Sequence, residues 1–476
     1  MNRITRITLT FLLAMMAANC LPALGQPLQP TFNVNLIQAP AGSLVPDVLL
    51  DAAGILHMVY AQNQNGYYVR SYDNGATFTP PVTINASGTV EYNMGERGPK
   101  LAVSADGTIH VAWMDHWESG VSVYARYTRS TNGGISFENL KTISATPGVD
   151  GVTVTADEGN HVVLFWHTMV PVQTQVPQAT WLHFARSADK GISFTADTNV
   201  VITNHSGLAC TMCMTRARPG AGGTVLLAFR SAENSIRDFY MLKGDPAAND
   251  FTAIRVNYDN WNINYCPMVG PSLETADDGR HYCAYMTGNH VYWSVADAAT
   301  GAFSLHVATP LNEFDEIYPQ AVPDHSGHVL FVWQVGPMSV SDSATVKWAL
   351  YNTDGTYTGQ QGIAGRTFSG TKADAFFGSD NQFHIVINTA FMTSAGPPVA
   401  TPVISLFPDP AHQYLCITGL KSNCSVRFFN QSGEQVLETN GTGNITVDLR
   451  TLKCGTYSVV LEDKKQRIVK KIVVSG

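Results

Sequence analysis

Pro99-Lys100-Leu101-Ala102-Val103-Ser104-Ala105-Asp106-Gly107-Thr108-Ile109-His110-Val111-Ala112-Trp113 is two short apolar stretches broken by an Asp-Gly turn. A proline opens the first stretch and a large aromatic closes the second. The same frame returns as Pro46–Gly54–Tyr60, Pro271–Gly279–Tyr285 and Pro319–Gly327–Trp333. Gly151–Gly159–Trp166 and Thr215–Gly223–Phe229 keep it with substitutions. Strand-like units recurring about every 50 residues are the signature of propeller blades. Each unit predicts four strands, which in the second are Lys100 to Val103, Ile109 to Trp113, Val121 to Thr128 and Leu140 to Ile143.

A second signature lies between the third and fourth strands. It runs Ser71-Tyr72-Asp73-Asn74-Gly75-Ala76-Thr77-Phe78, then Ser130 to Phe137 around Asn132, then Ser187 to Phe194 around Asp189. A worn copy holds Asp354-Gly355-Thr356-Tyr357. The Asp or Asn caps its own turn, the glycine takes a positive φ, and the hydroxyl ties the loop. This pattern resembles the Asp-box (BNR repeat) of the sialidase superfamily of β-propellers. The resemblance implies an all-β propeller in which Asp73, Asn132, Asp189 and Asp354 are structural, on the face away from any active site. Six units are well formed. Ala373 to Phe377 and Phe383 to Asn388 start a seventh, to which Phe32 to Ile37 can add an outer strand that joins the chain ends. Seven blades are expected, with the six-bladed sialidase ring as the alternative.

The chain has 476 residues, of which 14% are charged and 10% aromatic, with a net charge of −8. That balance argues against a nucleic-acid partner. Residues 1–25 have the pattern of a signal peptide: Arg3 and Arg6, an apolar run from Ile7 to Ala18 too short to span a bilayer, then Ala23-Leu24-Gly25. Cys20 opens a lipoprotein alternative, but Asn19 stands where a small residue belongs. Seven cysteines follow, Cys210, Cys213, Cys266, Cys283, Cys416, Cys424 and Cys454. An odd number in an exported chain leaves at least one thiol free or paired between molecules.

The propeller is placed at 26–392, with a Pro/Ala/Thr-rich linker at 393–403. Residues 404–476 carry Phe407-Pro408-Asp409-Pro410-Ala411, the turn Asn430-Gln431-Ser432-Gly433, then Leu452-Lys453-Cys454-Gly455-Thr456-Tyr457 and a basic end at Lys470-Lys471. This resembles the C-terminal sorting domain of type IX secretion cargo from Bacteroidetes, departing at Asp409 and in its three cysteines. The resemblance implies a small immunoglobulin-like β-sandwich, handling by the type IX machinery, and a protein secreted or held on the outer membrane surface of a Gram-negative bacterium.

If the Asp-Gly and Asp-box turns lie below, the loops before the first and after the second strand of each unit lie above. Three readings of that face follow. The resemblance to sialidases implies an arginine clamp for a carboxylate, an Asp acid and a Tyr nucleophile with a Glu. Candidates are Arg97, Arg230 and Arg237 for the clamp, Asp115 as acid, and Tyr265 or Tyr318 with Glu313 or Glu316. The family's first-blade R-I-P is here Leu44-Val45-Pro46, with Arg97-Gly98-Pro99 one blade late. The second reading rests on Cys210-Thr211-Met212-Cys213-Met214 and Cys266-Pro267-Met268, which neighbouring blades place side by side. They form either a disulfide pinning blades or a soft site for copper, since thiolates and thioethers select Cu(I). The run from Cys210 through Arg237-Asp238 and Trp261 to Cys266 also resembles a subgroup of uncharacterised exported sialidase-like propellers. The third reading is glycan or surface-ligand binding, with Trp117, Trp261 and Trp293 as stacking platforms. An acidic loop at Glu313, Asp315 and Glu316 is a candidate calcium site. No phosphate loop, HExxH or nucleophile elbow occurs. The expectation is a monomeric exported propeller that engages glycans or surface ligands, with exo-α-sialidase activity and a Cys/Met metal or redox site as alternatives.

Overall fold

The computed structural model describes residues 33–92, 95–117, 123–168, 179–311, 313, 315–336, 343–368, 371–388, 405–407, 414–462 and 467–474. The signal peptide and linker fall outside these residues. The chain divides into two compact units, Met1–Phe391 and Met392–Gly476.

Among the described residues the first unit is a ring of seven sheets, six of them antiparallel throughout. Blade 1 is built from Leu44–Leu50, Leu56–Gln62, Asn65–Ser71 and Val82–Thr83, and blade 2 from Lys100–Val103, Ile109–Met114, Ala125–Ser130 and Lys141–Thr142. Four further four-strand meanders follow, blade 3 with an added short strand Leu208–Cys210. The innermost strands touch their neighbours in a closed cycle, from Leu44–Leu50 through each blade to Asp374–Phe377 and back. The seventh blade is Asp374–Phe377 and Phe383–Ile387, completed by Val34–Gln38 running parallel to Phe383–Ile387. Both chain ends therefore close one sheet. The third strand of blade 2 begins at Ala125, later than predicted, and Asp115 N–H still bonds to the Tyr124 carbonyl at 3.1 Å just before it.

The two turn signatures do different work. In the lower turn between the first and second strands, a histidine commonly reaches back to a carboxylate or hydroxyl. His57 meets Asp51 at 3.1 Å, His110 meets Ser104 at 2.7 Å and His328 meets Asp324 at 2.9 Å. The Asp-type turns share one hydrogen-bond pattern. Ser71 Oγ donates to Asp73 at 2.7 Å, and Asp73 accepts from Thr77 N–H at 2.8 Å and its hydroxyl at 2.7 Å. Ser187, Asp189 and Ser193 repeat it at 2.7, 2.8 and 2.5 Å. In the Asn132 copy the amide donates to Ser136 at 2.8 Å, since Asn supplies only one acceptor. Each turn packs on the previous blade: a Cβ on Gly134 would lie 2.1 Å from Tyr68, and one on Gly191 1.8 Å from Tyr127. Arg129 then donates to the Lys190 carbonyl at 2.5 Å, tying blade 2 to blade 3.

Side chains fill the central channel. Arg216 of blade 4 pairs across it with Asp47 of blade 1, which also accepts from Leu101 N–H at 2.9 Å. Lys100 donates to the Glu96 carbonyl at 3.1 Å, and Glu96 accepts from Gly270 N–H. Burial lowers the Lys100 amine to about 8, while Asp47, despite burial, is held well below the usual carboxylate range by Arg216 and Lys100. The space left there is 20 Å³, lined by Glu96, Arg216, Tyr318, Lys372 and Asp374 among others. That is room for about one water.

The second unit is a five-stranded assembly around one apolar core that includes Leu415, Ile417, Val426, Phe428, Val459 and Ile472. Its long hairpin, Tyr414–Phe429 with Gln435–Asp448, breaks register between Ile417 and Cys424. One half pairs with Ser405–Phe407 and the other with Gly455–Glu462, so the sheet folds over its own core.

Candidate functional site

Three buried sulfurs meet on the upper face. Cys210 ends the strand Leu208–Cys210, and Cys213 follows within the same loop before the blade 4 inner strand Arg216–Pro219. Cys266 comes from the loop before the blade 5 inner strand Ser272–Thr275. Their Sγ atoms all lie within 4.8 Å of one another, and Cys213 and Cys266 are 3.2 Å apart. The residues are 1%, 1% and 9% exposed. Met212 and Met268, both partly buried, pack against them. All three cysteines are free thiols, so the bridge between blades expected as one option is not formed here. Cys283 is buried in blade 5 as another free thiol, outside this cluster.

Cationic side chains hold the two loops. Arg97 grips Asp150 with Nε at 2.9 Å and Nη2 at 2.5 Å, and donates to the Met212 carbonyl at 3.1 Å. His167 Nε2 donates to the Cys213 carbonyl at 2.6 Å. Arg230 donates to the carbonyls of Arg237 at 3.0 Å, Val269 at 3.1 Å and Met286 at 2.9 Å. Its guanidinium lies 4.2 Å above the Phe239 ring and 5.4 Å from Trp261. A buried guanidinium bonded to carbonyls keeps its full positive charge, which favours an anion beside it.

That charge reaches the sulfurs. Burial pushes the Cys213 thiol up. Hydrogen bonds from Cys210 and Cys266, with the charges of Arg230 and His167, overcome this and hold it well below the usual thiol range. Burial raises the Cys210 and Cys266 thiols; Cys213 raises Cys210 further, and Cys210 and Cys213 both raise Cys266. Of the three, Cys213 is the thiol whose proton is held least tightly. The set can release protons to bind a soft ion, or be oxidised in pairs.

Of the residues considered for glycoside chemistry, Arg97 and Arg230 brace the sulfur loops. Arg97, Arg230 and Arg237 are buried, 6%, 1% and 0% exposed, and Arg97 is engaged by Asp150. Asp115 is forked by Arg126 at 3.0 and 2.9 Å. Glu316 is buried and accepts from Thr309 at 2.5 Å and from the amides of Val291 and Glu313 at 3.1 Å each, and burial raises its carboxyl. Glu313 pairs with Lys347. The acidic loop considered for calcium therefore points two of its carboxylates at protein partners. Tyr318 is buried at the channel wall, with φ 53° and a hydroxyl without a hydrogen-bond partner among the described residues. Tyr265 is exposed beside Cys266. Of the tryptophans, Trp293 is fully buried in the blade 5 and 6 core, correcting its reading as a sugar platform. Trp261 lies partly buried beside Arg230, and Trp117 is exposed.

Asp150 and Glu96 are not singled out by the sequence, because their partners Arg97 and Gly270 lie 53 and 174 residues away. His167 follows the aromatic of its unit, Trp166, and its bond to Cys213 joins positions 46 residues apart.

Comparison with known proteins agrees with the two-part chain. Residues 405–475 match the family of the secretion system C-terminal sorting domain. No curated protein matches the chain. Among solved structures, the Penicillium chrysogenum alpha-L-arabinanase complexed with arabinobiose is similar at 13% identity and TM-score 0.44, over 69% of this chain and 100% of that one. The NanB sialidase from Streptococcus pneumoniae is similar at 10% and 0.40, over 67% and 68%. The fucose-specific lectin from Aleuria aurantia is similar at 10% and 0.39, over 70% and 97%. Likeness at this level carries no functional argument, and the propeller rests on the closed ring described above. The chain is an exported β-propeller with a type IX secretion sorting domain at its C-terminus, secreted or held on the outer surface of a Gram-negative bacterium.

Proposed function

We propose that this exported propeller works through a thiophilic metal centre held by Cys210, Cys213 and Cys266. The observation that carries the reading is the convergence of three buried sulfurs from two inter-blade loops within 4.8 Å. A trigonal ion with metal–sulfur bonds of about 2.3 Å holds its sulfurs about 4 Å apart. Small side-chain shifts take the observed cluster to that spacing. A disulfide uses two of the three sulfurs and leaves the third unexplained. The protein's part is to deliver three sulfurs on loops braced by Arg97, Arg230 and His167, in a site that excludes water. The test is an anaerobic titration of the reduced full chain with Cu(I), and separately with Zn(II), against competing chelators. One ion per chain is expected, and loss of binding in Cys213→Ser. Failure to bind either ion, with the three cysteines shown by mass spectrometry to be reduced, would sink the proposal.

A second reading is glycan or surface-ligand binding. It is favoured by Trp117, Tyr258 and Tyr265, which are 58%, 67% and 51% exposed on upper loops. Exposed aromatics on a loop face are the usual platforms for sugar rings. A glycan array probed with the full chain and with Trp117→Ala and Tyr265→Ala tests it, and unchanged profiles count against it. The exo-α-sialidase alternative lacks an open arginine clamp among the described residues, since Arg97 is paired and Arg230 and Arg237 are buried.

A further inference from the structure

The two sulfur loops repeat a pattern. Cys210-Thr211-Met212 and Cys266-Pro267-Met268 both read Cys-x-Met. Both methionines sit in the left-handed backbone region, at φ 62° and φ 56°. A non-glycine residue rarely adopts that conformation, and where it persists the surrounding structure holds it there, often at a functional site. Here it occurs twice, at the same place in two loops of different blades. The outcome is also the same, with each methionine packed against the cysteine cluster while remaining partly exposed. The cysteines are the buried inner layer and the methionines the outer one.

We infer that Met212 and Met268 form a thioether lip over the cysteine triad, through which the site takes up a monovalent soft cation of the Cu(I) and Ag(I) class. The inference rests on the metal-centre reading and adds the ion and the route. A thioether is a neutral, polarisable donor that binds Cu(I) well and hard or borderline divalent ions poorly. A site for Zn(II) would gain more from a histidine or carboxylate as fourth ligand. His167 uses its Nε2 on the Cys213 carbonyl, and among the described residues no carboxylate joins the three sulfurs in the cluster. An ion arriving from solvent meets the two thioethers first and is then passed inward as the thiols lose their protons to water. No electron transfer is required if the ion arrives as Cu(I), and each thiol that becomes a thiolate ligand gives up one proton to solvent.

The experiment uses the reduced full chain under anaerobic conditions, with Cu(I) delivered from a competing chelator and Zn(II) in parallel. The Met212→Leu/Met268→Leu double variant nearly conserves volume. Its Cu(I) affinity is expected to fall about 10-fold to 100-fold, the range seen when groups around a metal site are removed. Its Cu(I) uptake is expected to slow, while stoichiometry stays at one and Zn(II) affinity is unchanged. The single variants should each give part of the loss, which keeps the test readable if the double variant folds poorly. X-ray absorption of the loaded wild type should show a sulfur-only shell. Equal Cu(I) affinity and uptake rate in wild type and double variant would overturn the inference while leaving the metal centre standing. Tighter binding of Zn(II) than Cu(I) would overturn it as well. Loss of both metals in the wild type would instead remove the centre itself.

Discussion

Arg230 braces the loop that carries Cys266. Its guanidinium closes three carbonyls on three segments, Arg237, Val269 and Met286, and is 1% exposed. Val269 follows Met268, so Arg230 sets the path of the Cys266 loop. Arg230→Met keeps the stem and removes the donors, leaving three buried acceptors unpaired. The expected cost is about 3 kcal/mol or more, since each orphaned buried acceptor costs about 1–3 kcal/mol. Urea unfolding of both chains measures it, and a midpoint shift within error would mean the carbonyls find other partners. The sequence marked Arg230 as a substrate-clamp candidate. It could not say that the fork faces inward, because the carbonyls it binds lie up to 56 residues away.

At the scale of elements, the Asp-type turn is a device for joining blades as well as for turning the chain. Gly191 needs its positive φ of 78°, and it also gives up its Cβ position to the Tyr127 hydroxyl of the blade before. Tyr127 in turn meets Phe194 of the same turn edge-on, with ring centroids 4.8 Å apart. Gly191→Ala therefore meets strain and overlap together, and is expected to cost about 2–4 kcal/mol. Thermal unfolding of the variant is the check. A change no larger than that of an exposed glycine with open space, such as Gly107→Ala, would show that the tyrosine moves aside freely. The serine, aspartate and glycine of this turn were legible because their bonds span two to four residues. The tyrosine on the other side was not, since it belongs to another repeat.

For the whole molecule, the lower turns make a ring of histidines. Burial lowers the pKa of His57, His110 and His281, in three different blades, and takes His110 to about 3. His110 is fully buried between Ser104 and the Tyr127 hydroxyl, each at 2.7 Å, and Arg129 also disfavours its charged form. The folded protein thus holds neutral imidazole where the unfolded chain, with a histidine pKa of about 6.5, takes up a proton. Its contribution is full above about pH 6.5 and falls progressively as the pH drops toward about 3. At one pKa unit per 1.36 kcal/mol, the fall from about 6.5 to about 3 makes His110 alone account for about 5 kcal/mol of acid destabilisation. Unfolding midpoints at several pH values between 7 and 4 should fall steeply in the wild type and less steeply in His110→Gln. Parallel slopes would remove His110 from the account.

What the chain states by itself is what neighbouring residues can settle. Proline, Asp-Gly and aromatic positions fix strand and turn within a blade, and the Ser-x-Asp-x-Gly turns satisfy their own hydrogen bonds. The C-terminal domain shows through the same kind of local pattern. Tertiary structure decided the rest. The ring closes at seven because Val34–Gln38 finds Phe383–Ile387 at the far end of the propeller, a pairing that depends on the summed twist of all the blades. The channel fills because Asp47 and Arg216, 169 residues apart, face each other across it. Two cysteine loops became one sulfur cluster because adjacent blades hold them side by side. No spacing along the sequence records that distance. It follows from the packing angle between sheets, which every buried side chain between them helps to set.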